Sequence, residues 1–427
     1  MSSRLPLVRL LTSFSLSLHL ICTCAHSEAN DVCVDYVQDL QRGHEAMLET
    51  AEYNVITKTL LLNNGSSEDA RENIKQYFQD TFDLDTSLFQ HIRTEFLWTR
   101  ADPLRHPVCW YAAHAASFYI NKLRVAGAIK QPHNKYFEST FAVGVDEMSW
   151  DDKLEDRDDW PHPDEVFRYR EEVREIVLHI IDTQSLELPI GWNTIFWAVL
   201  MGIEHERIHI ETSSVLIRQL PVHVFYDASE LNTPFDNTCQ VGEFSSTLPE
   251  PVIDDVINFK PDLGASGHAP KNELIAVKQK YVTYGRKIDD FSHKLAVYGW
   301  DNEYGEMSVE VPSFKASKYL VSNEEYYEFV LDGGYTTRSY WSDEGWRWVQ
   351  STKSKMPKFW LKKNNTFYLR NMLTEIELPW NWPVVTNHLE GLAFTRWKSV
   401  KLNTTIRMLT EDEWHVLRQL GEYGEVD

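Results

Sequence analysis

At 427 residues the chain is too long for one ordinary core, so two domains are expected, each large enough to bury its own apolar interior. Its 64 acidic residues outnumber 42 basic ones, and the net charge of −22 would repel a phosphate backbone, which sets nucleic acid aside as a partner. The composition, 43% hydrophobic and 25% charged, is that of a globular protein rich in aromatics, and its 15 Trp suit a dense core or a walled pocket.

The N-terminus carries Arg4 and Arg9, an apolar run over 10–21 and small residues around Ala25, the outline of a secretory signal over 1–27. Ser13, Ser15, Ser17 and His19 interrupt that run, so an unprocessed leader fits equally, and the run is too short to span a membrane. Cleavage would leave Cys33, Cys109 and Cys239, an odd set that makes no disulfide framework and would also suit a reducing compartment. Sequons stand at Asn64, Asn364 and Asn403.

From about 66 to 220 apolar residues recur at helical spacing between short polar connections. Val166, Tyr169, Val173, Val177 and Ile180 form one stripe. Pro107 can open a helix on which Trp110, His114 and Phe118 fall four apart and share a face. A further helix is expected from about Trp197 to Leu220, with Trp197, Met201, His205, His209 and Leu216 on one stripe. The stretch 227–272, rich in Pro, Asn, Asp, Gly and Ser, reads as a linker. Beyond it, short aromatic and β-branched segments such as 294–314 alternate with turns, and a helix is expected over 323–331. The domains on this reading are a leader at 1–27, a helical bundle with the site at 28–225, an irregular connection at 226–290 and an irregular α+β domain at 291–427.

His205 and His209 stand one helical turn apart, so both imidazoles can reach one metal, and a third ligand from a facing helix would complete a facial cap. His114, on the inward face beside Trp110 and Phe118, is the candidate third ligand. Glu211 could orient a ligand or bound water from behind. A lone histidine is more often a hydrogen-bonded core residue. Three on apolar faces would leave several ring nitrogens needing partners at once, each costing about 1–3 kcal/mol if orphaned, and a shared cation satisfies them together. The residues 205–209 also spell HExxH, the zinc-protease signature, with Glu206 as general base. Against it, the extended H-x-x-G-x-x-H is absent and charged Glu204 and Arg207 flank the ligands.

The block MGIEHERIHIETSSVLIRQL at 201–220 closely resembles the 5-histidylcysteine sulfoxide synthases, the ovothiol-forming family, whose close relatives are the ergothioneine synthases. The stretches RADPLRHP at 100–107, VDEMSWDD at 145–152 and LPWNWPV at 378–384 carry the same resemblance. It implies a DinB-like helical bundle followed by a domain like the formylglycine-generating enzyme (sulfatase-modifying factor), to which 320–323, 333–335 and 407–414 are similar. By resemblance the family's HX3HXE motif falls on His205, His209 and Glu211, and its other iron-binding histidine on His114. The implied cofactor is iron(II), and the implied substrates are cysteine, histidine and dioxygen, joined with oxidation of the sulfur to a sulfoxide. The family is cytoplasmic, whereas a true signal at 1–27 would direct the chain to the secretory route.

Asp146, Glu147 and Asp151, with Asp152, are candidates to meet substrate amino groups, although a solvated charged turn fits them as well. In the family the second domain runs on past the position of Asp427, through a Gly-Asn-Val-Trp type segment with an active-site tyrosine and often to a methyltransferase. The expectation is therefore a shortened form with an incomplete second domain, whose apolar surface a protein partner would cover. The competing readings are a non-catalytic metal-binding or regulatory protein, an ergothioneine-type synthase, a thiol transferase and the zinc protease.

Overall fold

The computed structural model describes residues 60–142, 159–226, 268–287, 291, 296–364 and 366–422, with residues 420–422 described by their backbone alone. The leader at 1–27 and the acidic residues Asp146, Glu147, Asp151 and Asp152 lie outside the described residues, as does 227–267 of the expected linker.

The first half is a helical bundle. Helix α1 (Ser67–Gln90) opens with a capping box in which the Ser66 hydroxyl accepts from the Asp69 amide at 3.1 Å and the Ser66 amide donates back to the Asp69 carboxylate at 3.2 Å. Helix α2 (Val108–Val125) starts directly after Pro107, and the short α3 (Lys135–Thr140) is capped by Asn134. Helix α4 (Pro163–Thr183) has Pro at its first position, where the missing N–H costs nothing, and its stripe Val166, Tyr169, Val173, Val177 and Ile180 is buried. Helix α5 (Ile195–Ile217) begins at the Thr194 cap, which accepts from the Trp197 amide at 3.2 Å.

Helix α2 is central, packed against α4 and α5, while α1 closes on α5. Its Ala112, Ala113, Ala115 and Ala116 are fully buried and let neighbouring backbones approach closely. Closest is Gly202 on α5, where an added Cβ would sit 2.2 Å from the Tyr119 ring. Tyr119 cannot swing aside, because its hydroxyl donates to the buried Glu206 carboxylate at 2.8 Å. Gly202→Ala is therefore expected to destabilise the bundle by about 1–3 kcal/mol through overpacking, read as a lowered urea midpoint with an unchanged slope.

His91, which follows the last turn of α1, is 2% exposed, and burial pushes its pKa down to about 4. The unfolded chain takes up this proton near pH 6.5, the folded one only near pH 4. Between those values the unfolded state binds more protons, so stability is lost as pH falls, by about 3 kcal/mol for this group. A His91→Phe variant that folds should lose less stability between pH 7 and pH 4.5 than the parent does, and equal losses would contradict this account.

The second half is built from short strands and helices around two further cores. Strands β1 (Leu274–Val277) and β4 (Phe314–Ser317) pair antiparallel, with Leu274 opposite Ser317. So do β2 (Lys280–Tyr284) and β3 (Met307–Val311), with Lys280 opposite Val311. Both β1 and β2 fall inside 226–290, the stretch read from sequence as connection. They are four and five residues long, too short to declare a period, and in β2 the exposed Tyr281 and Thr283 alternate with a face on which only Val282 is fully buried.

Helix α6 (Asn323–Leu331) spans the residues expected for it and is capped by Ser322. Helix α7 (Asp343–Thr352), the meander β5 (Trp360–Lys363), β6 (Thr366–Arg370) and β7 (Glu375–Glu377), and helices α8 (His388–Leu402) and α9 (Glu411–Glu422) complete the order. An aromatic core of Tyr326, Phe329, Trp341, Trp360, Phe394 and Trp397 binds α6, β5 and α8 together, while Val277, Val282, Val311 and Val416 form a smaller one.

The halves are interlocked. Tyr298 packs its ring 4.8 Å from that of Trp197 and, with Leu373, belongs to the core of the bundle. The Leu62 amide donates to the Ala296 carbonyl at 2.8 Å. A reciprocal pair closes the junction: Arg218 Nε donates to the Arg370 carbonyl at 2.6 Å, and Arg370 Nη2 donates to the Leu220 carbonyl at 2.9 Å. Among the described residues no helix is long and apolar enough to cross a membrane.

Candidate metal centre

Helix α5 presents His205 and His209 on successive turns, and α2 presents His114 across from them. Their Nε2 atoms converge: His205 lies 3.3 Å from His114 and 3.2 Å from His209. The donor atoms of the three all lie within 4.8 Å of one another. Bonds of about 2.0–2.1 Å from one cation to three such nitrogens give separations of roughly 3.0–3.4 Å between neighbours, which is the spacing observed.

His114 Nδ1 donates to the Phe141 carbonyl at 2.6 Å, which fixes the tautomer and leaves its Nε2 lone pair directed at the other two rings. Burial lowers the pKa of all three. That of His114 falls to about 4, and those of His205 and His209 fall well below the ordinary value, with the neighbouring rings adding to the effect. All three are therefore neutral at pH 7, the form that ligates. Three neutral imidazoles facing one another share too few ring protons to satisfy every inward nitrogen, and a single cation would satisfy all three. The donor set thus fits a divalent metal.

Glu206, next to His205, points the other way. Its carboxylate accepts from Tyr119 at 2.8 Å and from Arg170 Nη2 at 3.0 Å, and Arg170 Nη1 reaches Asp85 at 3.1 Å. Arg170 also donates to the Ala112 carbonyl at 2.7 Å and the Thr86 hydroxyl at 2.8 Å. The Asp85, Arg170 and Glu206 side chains are 1% exposed or less, so the network is dry. Burial pushes the carboxyl groups of Asp85 and Glu206 up, with Arg170 pulling against it. Burial also opposes the charge on Arg170, but the two carboxylates outweigh it and leave its pKa raised.

The protease reading fails on this geometry, since its general base would have to face the metal and Glu206 is committed to an ion pair behind the helix. Glu206→Gln is accordingly expected to weaken the fold without removing a peptidase activity, because casein cleavage is expected from neither protein.

Glu211 is left out of the group. Its carboxylate makes no hydrogen bond to the three rings among the described residues, and burial raises its pKa. Sequence reasoning placed Trp110 and Phe118 on the face of His114 but missed the stacking they make on the rings. Trp110 stacks on His114 with centroids 4.5 Å apart and planes 13° from parallel, and Phe118 stacks on His205 at 3.6 Å and 6°. The signal was present, since Trp110, His114 and Phe118 recur every four residues on α2. Asp85 and Arg170 gave none, because charged residues on a helix read as its solvated face.

Residues 70–213 match the family model of the DinB superfamily, and residues 263–425 match that of the sulfatase-modifying factor enzyme 1-like domain. Ergothioneine biosynthesis protein 1 of Schizosaccharomyces pombe is 24% identical over 314 residues, 68% of this chain and 35% of the relative. Its namesake in Neurospora crassa is 24% identical over 254 residues, 57% of this chain and 25% of the relative. Hercynine oxygenase of Mycobacterium tuberculosis is 31% identical over 116 residues, 27% of each chain. The matches thus span about a third or less of the length of these curated relatives. The chain is an N-terminal DinB-type helical bundle followed by an α+β domain like sulfatase-modifying factor enzyme 1, and it is similar to proteins of ergothioneine biosynthesis.

Proposed function

We propose that His114, His205 and His209 hold one iron(II) ion and that the chain belongs to an oxygen-dependent oxidoreductase of the sulfoxide-synthase type. The observation that carries the reading is the convergence of three neutral Nε2 atoms at 3.2–3.3 Å inside a bundle of this family. When bound, iron with three nitrogen ligands from the protein supplies coordination positions for substrate and dioxygen. The chain's own part is to keep the imidazoles unprotonated by burial, to hold them on two packed helices and to surround them with rings that exclude water. No protein nucleophile is needed.

The reaction joins a thiol sulfur to an imidazole carbon. The S–H and ring C–H hydrogens leave, one oxygen atom ends on sulfur, the other leaves as water, and dioxygen accepts the four electrons. We assign cysteine as the thiol and histidine as the imidazole donor, giving 5-histidylcysteine sulfoxide. The relatives' names make hercynine the competing imidazole.

Anaerobically purified chain should bind one iron(II) and consume oxygen only when cysteine and an imidazole donor are both present. Mass spectrometry of the product from histidine, set against that from hercynine, assigns the donor. Iron loading without oxygen uptake would reduce the chain to a metal-binding protein, and thiol consumption without oxygen would make it a thiol transferase.

A further inference from the structure

An imidazole reaches a metal only when its ring is turned correctly, and rotation about its last side-chain bond is soft. Ligating histidines usually have that rotation set by a hydrogen bond from the second ring nitrogen. His114 has one, to the Phe141 carbonyl. His205 does not: its Nδ1 is buried with no hydrogen-bond partner among the described residues. What it meets instead is the face of Phe118, 3.6 Å away between centroids with the planes within 6°.

Phe118 sits one turn beyond His114 on α2, and Lys122, one turn further, holds its ammonium 5.0 Å from the centre of the Phe118 ring. One stripe of α2 therefore supplies a ligand, the ring lying on that ligand and the ring lying on its neighbour. Two neutral rings face to face are not the favoured arrangement. The pair improves when one ring gives its lone pair to a cation and becomes electron-poor, much as a cation over an aromatic face is attracted to it. The stack is thus stronger in the metal-loaded state than in the empty one, and so contributes to affinity.

We propose that Phe118 is a positioning residue of the metal centre, setting the ring plane of His205 by stacking where no hydrogen bond does so. The proposal rests on the reading of the three histidines as metal ligands. Cobalt(II) titration of the whole chain, followed by visible absorption, tests it without calling on turnover. Phe118→Leu and Phe118→Met should bind cobalt about 10–100-fold more weakly with shifted bands, the range expected for losing a group that supports a ligand. Phe118→Tyr, which keeps the ring, should retain both affinity and spectrum.

Circular dichroism identifies which variants fold, and two ring-free variants guard against one of them failing to do so. Wild-type binding together with an unchanged affinity and spectrum in a folded ring-free variant overturns the positioning role. A wild-type chain that binds no cobalt overturns the ligand reading itself.

Discussion

His205→Ala and His209→Ala are each expected to lose stoichiometric metal on gel filtration, with affinity for a divalent ion falling by on the order of 10³-fold, beyond the 10–100-fold that follows loss of a supporting group. The reason is geometric. The Nε2 atom of His205 stands 3.3 Å from that of His114 and 3.2 Å from that of His209, on two helices, so removing one ring leaves two donors and a cavity, with no carboxylate in the group to replace it. Glu211→Gln supplies the contrast: lying outside the group, it should keep its metal. Elemental analysis of the three variants beside the parent checks both statements. Undiminished metal in either alanine variant would remove the proposed centre.

Arg170→Met is expected to cost about 3–5 kcal/mol, because it strands the carboxyl groups of Asp85 and Glu206 in a dry interior without their shared cation. The deficit relative to wild type should shrink as pH falls. Burial already holds both folded-state carboxyl pKa values up, and removing Arg170 raises them further, while the unfolded values stay near 4. A group whose folded pKa is raised keeps its stability contribution below the unfolded pKa and loses it as pH rises through the folded one. Adding Asp85→Leu and Glu206→Gln to Arg170→Met should recover much of the loss, since a dry ionic cluster replaced as a unit is often neutral. Urea denaturation at pH 7 and pH 5 measures each difference. A single Arg170→Met variant as stable as the parent would show the cluster to be hydrated.

The bundle was legible where a long period spoke. The stripe from Val166 to Ile180 buries as its spacing implies, and the turn between His205 and His209 follows from i and i+4. His114 was legible because it shares a stripe with Trp110 and Phe118. The partners behind the ligand helix were not. Asp85, Arg170 and Glu206 come from α1, α4 and α5, and only the packing of those helices reveals that three charges meet away from water. The strands at 274–284 escaped for the opposite reason, being too short for alternation to stand out from a polar stretch. The junction between halves rests on main-chain acceptors, and a carbonyl carries no signature in the side-chain pattern.

That junction has a mechanical consequence. Arg218 and Arg370 each grip the other half's backbone, so tilting either half strains both grips together. Arg218 caps the same helix that bears His209, nine residues upstream, about 13 Å along a rod rising 1.5 Å per residue. Displacement of the β5–β7 meander is therefore geared to the imidazole pair, and whatever loads the far side of the molecule is felt as torque on two of the three rings.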